Sequence, residues 1–554
     1  MKKLLPILFL VLAFSTQVFA VDFTVNLTTD QQDANISDNV CDIDLAATGL
    51  QCTLRAAVEQ ANALAGADTI TFALATPATI NLTIGELVVS QDVTITGPGA
   101  RLLTVQRSTA APNFRVFLIT SIAGTVNISG ITIANGNATT GFNNIGGGIY
   151  NQGGAQSITG RILNLTEVTV RNNSSILGGG IANRSILNVT RSTISSNTAI
   201  NFGSGGGIHN ISPPTNVIAI ANISNTTISD NTAFSGSGGG IANISSSLTL
   251  NNVTISNNSA LGPAGPNPVT GGGVYHPVSG TDRIAVVRNT IIAQNNSPAN
   301  PDVSGNFDSL GNNLIGSVGT ATGFFNGVNG DIVGTIASPI NPLLGVLQNN
   351  GGETDTRALL PGSPAIDAGN NCVVTATCPS GNPPTPLTTD QRGTGFVRLQ
   401  GTAVDIGAFE FASTAPPSNL LINSSFEHGL APWQDGGNSS LEANPHAPQG
   451  SFELRIGTGT GGIFQTVAAE ANTTYTLSGW GRVTAGETGW IGVHYLDSEG
   501  NEIATQSLIE FTNTAYEQKQ VTLQTPSNTA QLRVWVLKNE GAGYFFVDEI
   551  SLTR

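Results

Sequence analysis

Apolar and polar residues alternate with a period of two in short runs spread over most of this chain, as in Ile80-Asn-Leu-Thr-Ile84, Val126-Asn-Ile-Ser-Gly-Ile-Thr-Ile133 and Leu248-Thr-Leu-Asn-Asn-Val-Thr-Ile255. The runs are rich in β-branched residues, and no amphipathic helix pattern of useful length interrupts them, so they predict short strands. Two markers alternate between the runs. A Gly-Gly-Gly-apolar tetrad begins at Gly146, Gly178, Gly205, Gly238 and Gly271, at intervals of 32, 27, 33 and 33 residues. An apolar residue followed three positions later by Asn recurs at Val170/Asn173, Ile194/Asn197, Ile228/Asn231, Ile255/Asn258 and Ile292/Asn295.

A fixed period of this size, built from strands alone, predicts a solenoid of stacked coils. Each repeat suits one turn of a three-stranded, right-handed parallel β-helix, with coils ~4.8 Å apart. Glycine permits positive φ and close backbone approach where a coil turns a corner, and Asn tolerates left-handed geometry and can bond to its equivalent one coil away. The markers therefore predict glycine corners and an asparagine ladder, with coils over residues 67–338.

The flanks differ. Residues 1–20 carry a basic start at Lys2 and Lys3, an apolar stretch from Leu4 to Phe14 and a small-residue exit at Val18-Phe-Ala20. That is the pattern of a secretory signal peptide. Residues 21–66 hold a loop with Asp30, Asp33, Asp38, Asp42 and Asp44, then a helix capped by Thr53 whose Leu54, Ala57, Val58, Ala61 and Leu64 share one stripe. This helix is the expected cover for the first coil. The clustered carboxylates are of the kind that hold Ca2+, although a solvated loop stapled by Cys41 and Cys52 is the simpler reading. Cys52-Thr-Leu-Arg-Ala-Ala57, with Ala61-Asn-Ala63 and Asp68-Thr-Ile-Thr-Phe72, resembles the CSLREA segment that opens many exported bacterial β-helix proteins, with Thr53 and Ala56 replacing the usual Ser and Glu.

From Pro339 the repeat gives way to a closing segment, residues 339–411. Its phrases Leu359-Leu-Pro-Gly-Ser-Pro-Ala-Ile-Asp-Ala-Gly-Asn370, Asp390-Gln-Arg-Gly393 and Asp405-Ile-Gly-Ala-Phe-Glu410 resemble the choice-of-anchor Q segment near the end of such helices. Turns and end-capping account for its acids. A linker over residues 412–418 leads to residues 419–554, which contain all four Trp. Parity along three strands puts Trp490 and His494, Arg533 and Trp535, and Trp480 and Arg482 on the face away from Ile491, Val493 and Tyr495, Leu532, Val534 and Val536, and Tyr475 and Leu477. Flat rings beside hydrogen-bonding groups suit a sugar, so these six residues are the expected carbohydrate-binding set. Trp433, in a Leu-Ala-Pro-Trp loop, reads as structural. The stretch from Asn419-Leu-Leu-Ile-Asn-Ser-Ser-Phe-Glu427 to Tyr544-Phe-Phe-Val-Asp-Glu-Ile-Ser-Leu552 resembles the CenC-type carbohydrate-binding modules, which implies a jelly-roll β-sandwich and makes Glu427 and Asp548 candidates for a structural Ca2+.

Composition narrows the function. Net charge is -15 and the only Lys are Lys2, Lys3, Lys519 and Lys538, which disfavours nucleic acid and anionic membranes as partners. No stretch beyond the leader approaches the ~20 apolar residues of a transmembrane span. The four Cys suit an exported protein; Cys41 with Cys52 and Cys372 with Cys378 are close enough for local disulfides, among three formal connectivities. Exported parallel β-helices include pectate lyases and polygalacturonases, but the coils contain no Lys and, from Val126 to Asn300, only Glu167, Asp230 and Asp282 as acids, in different phases of the repeat. Hydrolysis needs a carboxylate pair roughly 5–9.5 Å apart. His209 and His276 follow their tetrads at different offsets and read as polar surface residues. The expectation is an all-β, exported, adhesive or display protein with a polysaccharide-binding end; a targeted carbohydrate-active enzyme and a purely structural surface component are the alternatives. The Gly/Asn alternation also resembles the repeats of polymorphic outer-membrane proteins.

Overall fold

The structure, a computed structural model, describes residues 20–120, 124–140, 144–153, 161–213, 218–262, 268–277, 283–380, 383, 385–412, 419–427, 429–444, 448 and 452–554. The leader up to residue 19, Asp282 and residues 413–418 of the linker lie outside the described residues. The chain forms two compact units, Met1–Ala412 and Ser413–Arg554.

In the first unit the period-two runs stack coil on coil as three parallel sheets of 18, 8 and 5 strands, a parallel β-helix. The tetrad's apolar residue stays in strict register: Ile149 lies beside Ile181, Ile181 beside Ile208, Ile208 beside Ile241, Ile241 beside Val274 and Val274 beside Val303. These columns fill an interior continuous from Phe23 to Phe324. Each such side chain contributes about 1.5–3 kcal/mol on burial. At the start, Asp22–Val25 pairs in parallel with Asp68–Phe72, and the helix Leu54–Ala63 packs over the coils, its Thr53 hydroxyl accepting from the Ala56 N–H at 3.1 Å.

The glycine corners are as expected. The first Gly of each tetrad takes positive φ, for example +67° at Gly178 and +75° at Gly238. A Cβ on the second, such as Gly179, would lie 2.5 Å from the Gly206 carbonyl oxygen one coil on. The asparagine marker divides its work between neighbours. The left-handed conformation falls on the residue before the Asn, at Asn172, Ser196, Asp230, Asn257 and Gln294. The marker Asn itself is buried and forms the ladder: Nδ2 of Asn173, Asn197, Asn231 and Asn258 each donates to Oδ1 of the next at 2.9–3.0 Å. Asn295 ends the row by donating to Asp302 Oδ1 at 2.9 Å. A carboxylate suits that terminus because it accepts and has no N–H of its own that would need a further acceptor. Burial pushes the Asp302 carboxyl up to about 6.

A second buried ladder runs Asn151, Asn183, Asn210, Asn243 and ends on Nδ1 of His276 at 3.0 Å. His276 is therefore no surface residue, and neither is His209, which the register places between Ala182 and Ala242. The register resolves both: His276 stands where an Asn stands in the coil before, and His209 one position earlier, where its neighbours are Ala and leave room for a ring. Burial, with the Arg184 guanidinium second, lowers the His209 imidazole to about 4.

The closing segment is less an end cap than a strap. Leu359, Ala365, Ile406 and Phe409 pack on the last coils, and the chain then doubles back along the flank. It engages outward-facing side chains of successive coils: Ala408 N donates to Thr254 Oγ1, Thr227 Oγ1 to Gln391 Oε1, and Gln391 Nε2 to Thr193 Oγ1. Its acids are matched locally, Asp390 with Arg392 at 2.6 Å and Glu410 with Arg398 at 3.6 Å, while Asp355 reaches Arg101 at 2.7 Å. Both disulfides pair neighbours, Cys41 with Cys52 and Cys372 with Cys378.

The second unit is a β-sandwich of two five-stranded antiparallel sheets. One orders its strands Gln434–Asp435, Gly461–Ala468, Gln531–Lys538, Gly489–Leu496, Glu502–Phe511; the other Ser439–Ala443, Phe452–Ile456, Phe545–Thr553, Thr474–Val483, Glu517–Gln524. Ile491, Val493, Leu532, Val534, Val536, Tyr475 and Leu477 meet in the core between them.

Candidate functional site on the sandwich face

Strict alternation along the central strand Gln531–Lys538 turns Arg533, Trp535 and Leu537 away from the core. Its neighbours add Phe464 and Thr466 on one side, and Trp490, Gly492 and His494 on the other, in register. The Trp535 indole is the centre of this face. It lies across Gly492, where a Cβ would come within 2.2 Å of Trp535 Cζ2, so only glycine leaves the ring room to lie over the adjacent strand. The His494 ring stands edge-on to it, 5.7 Å between centroids at 81°, and His494 Nδ1 is 2.9 Å from Glu502 Oε2. The Arg533 guanidinium sits 5.2 Å from the Phe464 ring.

Together with Gly436, Thr460, Gly462 and Leu537, the residues Phe464, His494 and Trp535 line a cavity of about 410 Å3. Its wall is an aromatic surface with polar groups at the edge. The Trp535 Nε1 proton donor is buried and finds no acceptor among the described residues.

The six expected binding residues thus separate. His494, Arg533 and Trp535 come together, with Trp490 farther along the same face, opposite Leu537 and Glu510. Trp480 and Arg482 point outward from the other sheet. Arg482 is also committed there: it donates to Glu453 Oε1 at 3.0 Å and stacks 3.7 Å over Phe546. Parity assigns each strand an outer side but not a sheet, so strands of opposite sheets look alike in sequence. Phe464 was available to the same reasoning, since Ile463 and Gln465 beside it point inward. Trp433 packs on Phe426 and donates from Nε1 to the Asn423 carbonyl at 3.2 Å.

Of the calcium candidates, Glu427 Oε1 accepts from Phe452 N at 2.8 Å, and the fully buried Asp548 accepts from Glu549 N at 2.8 Å. Among the described residues, no three His, Cys, Asp or Glu side chains gather as a metal cluster. In the β-helix, Glu167 is paired with Arg191 at 2.9 Å and Asp230 with Arg357 at 3.1 Å.

None of the curated proteins matches this chain. Among solved structures, it is similar to a family 16 carbohydrate-binding module at 30% identity, covering 24% of this chain and 100% of that one, with a TM-score of 0.23. It is similar to TmCBM61, solved in complex with β-1,4-galactotriose, at 20% identity, covering 24% and 98%, with a TM-score of 0.21. A xylan-binding domain of Paenibacillus barcinonensis Xyn10C matches at 19% identity, covering 24% and 90%, with a TM-score of 0.20. Residues 418–540 match the family model described as a carbohydrate binding domain, so the C-terminal unit is a sandwich of the carbohydrate-binding-module kind, joined to a parallel β-helix.

Proposed function

We propose that this is an exported adhesion or display protein: a β-helical body carrying a sandwich that holds polysaccharide across the face centred on Trp535. The observation that supports the reading most is the aromatic floor of Phe464 and Trp535, rimmed by His494 and Arg533. A sugar offers what that surface takes, an axial C–H face for the ring and hydroxyl oxygens for the donors. Two disulfides and the leader pattern support export.

The test is co-sedimentation of the mature protein with insoluble plant and bacterial polysaccharides, followed by analysis of the supernatant for oligosaccharides. Pelleting without release is expected. Release that Asp230→Ala or Glu167→Ala abolishes would replace this reading with an enzymatic one, and failure to pellet with any polysaccharide would remove the binding role.

A structural Ca2+ held by Glu427 and Asp548 belongs to the same proposal. It is supported by the resemblance and by the burial of Asp548, a hard oxygen donor. Adding EDTA to the protein is expected to lower the melting temperature of the sandwich, and an unchanged melting curve would remove the ion.

A further inference from the structure

The sandwich unit is poor in cations, and its carboxylates take up all but one of them. Residues 419–554 hold 14 Asp and Glu against six Lys and Arg. Arg455, Arg482, Lys519, Lys538 and Arg554 each lie 2.6–3.0 Å from a Glu side chain. The sixth, Arg533, forms no ion pair among the described residues. Its one hydrogen bond there is long, from Nε to Thr466 Oγ1 at 3.4 Å, which leaves both terminal nitrogens without an acceptor among those residues. Strand order explains the isolation. Arg533 lies in register between Thr466 and His494, and beyond it Glu502 is already taken by His494 Nδ1 at 2.9 Å. Glu510 stands beside Trp490, four residues or about 13 Å along the strand from His494.

The free guanidinium is on the face centred on Trp535. It is half-buried, 5.2 Å from the Phe464 ring and two residues, or about 7 Å, along the strand from the indole. A neutral glycan seated on Trp535 would strip water from this charge and return only hydroxyl contacts, a net cost. An anionic substituent returns the charge as well, and the planar fork of donors suits its paired oxygens. The negative surplus of the unit opposes this only at a distance, because salt at 0.15 M screens charges beyond about 8 Å. We propose that the polysaccharide held on this face is anionic, and that Arg533 pairs with a carboxylate or a sulfate ester on the sugar beside the one stacked on Trp535. The proposal rests on the glycan-binding role of that face and adds its specificity.

The experiment is titration calorimetry of the full chain with matched pairs of polysaccharides. Polygalacturonate is set beside its methyl ester, glucuronoxylan beside its carboxyl-reduced form, and a sulfated galactan beside its desulfated form. A hydrogen-bonded ion pair at contact is worth about tenfold or more in affinity, so the charged member of at least one pair is expected to bind about ten times tighter. Which pair responds tells carboxylate from sulfate. The preference is expected to shrink as salt rises, and in Arg533→Gln the ratio of the two affinities is expected to fall to about one. The ratio is taken within a single variant, so a general loss of affinity or folding does not imitate it. Equal binding of both members in every pair that binds would overturn the proposal and leave glycan binding standing. A preference that Arg533→Gln retains would also overturn it, by showing that another group reads the charge. Binding to none of the six would overturn the proposal, and the glycan-binding role would fall with it only if the insoluble polysaccharides also fail to pellet the protein.

Discussion

Individual residues in this protein carry two kinds of information, and only one is legible from spacing. Asn173 to Asn295 announce a ladder because they repeat, and the structure bonds each to the next. His209 and His276 announce nothing, because each occurs once at its register position. Burial of His209 has a consequence for acid stability. Its folded value of about 4 lies below the ordinary value of 6.5, so the imidazole must stay neutral in the native state but takes up a proton when unfolded. Its contribution is fully present above pH 6.5 and is lost as pH falls toward 4. Asp302, raised to about 6 from 3.8, acts with the opposite sign and stabilises as pH falls through 6. His209→Gln is therefore expected to remove up to about 3 kcal/mol of the loss between pH 6.5 and 4, at 1.36 kcal/mol per unit. Urea unfolding at the two pH values measures it; an unchanged difference would show that His209 titrates alike in the folded and unfolded chain.

At the scale of elements, the coils were readable and the strap was not. Period-two runs and glycine tetrads fix strands and corners, because both depend on local backbone geometry. The path of residues 339–411 depends on contacts with side chains far away in sequence, such as Gln391 with Thr193 and Arg357 with Asp230. No spacing encodes such a contact. Gln391 is the hinge pin of the arrangement: its Nε2 lies within hydrogen-bond distance of Thr193 Oγ1, Thr354 Oγ1 and the Asp355 carbonyl, and its Oε1 accepts from Thr227. Gln391→Ala leaves the buried Thr227 hydroxyl without its acceptor, at about 1–3 kcal/mol. It is expected to speed proteolytic cleavage within residues 339–411 while the coils stay resistant. Cleavage at the parental rate would show that the strap is held by its apolar contacts alone.

For the whole molecule, what distinguishes the two units is how outward aromatic side chains are grouped. The β-helix packs an interior continuous from Phe23 to Phe324 and exposes Phe202, Phe234 and Phe325 at scattered points of the chain, whereas the sandwich lines up Phe464, Trp490 and Trp535 on the outer face of one sheet. Sequence parity found the outward side of each strand correctly, and it could not tell that Trp480 belongs to the opposite sheet, since sheet membership is set by pairing. That distinction makes the binding claim sharp. The measurement is affinity electrophoresis of the full chain through gels containing a polysaccharide that pellets it, comparing the parent with Trp535→Ala and Trp480→Ala. Loss of an aromatic stacking surface at a binding hot spot costs 2 kcal/mol or more, roughly a thirtyfold loss of affinity. Trp535→Ala is expected to migrate freely while Trp480→Ala is retarded like the parent. Retention by Trp535→Ala together with release of Trp480→Ala would place the glycan on the other sheet and contradict the site described here.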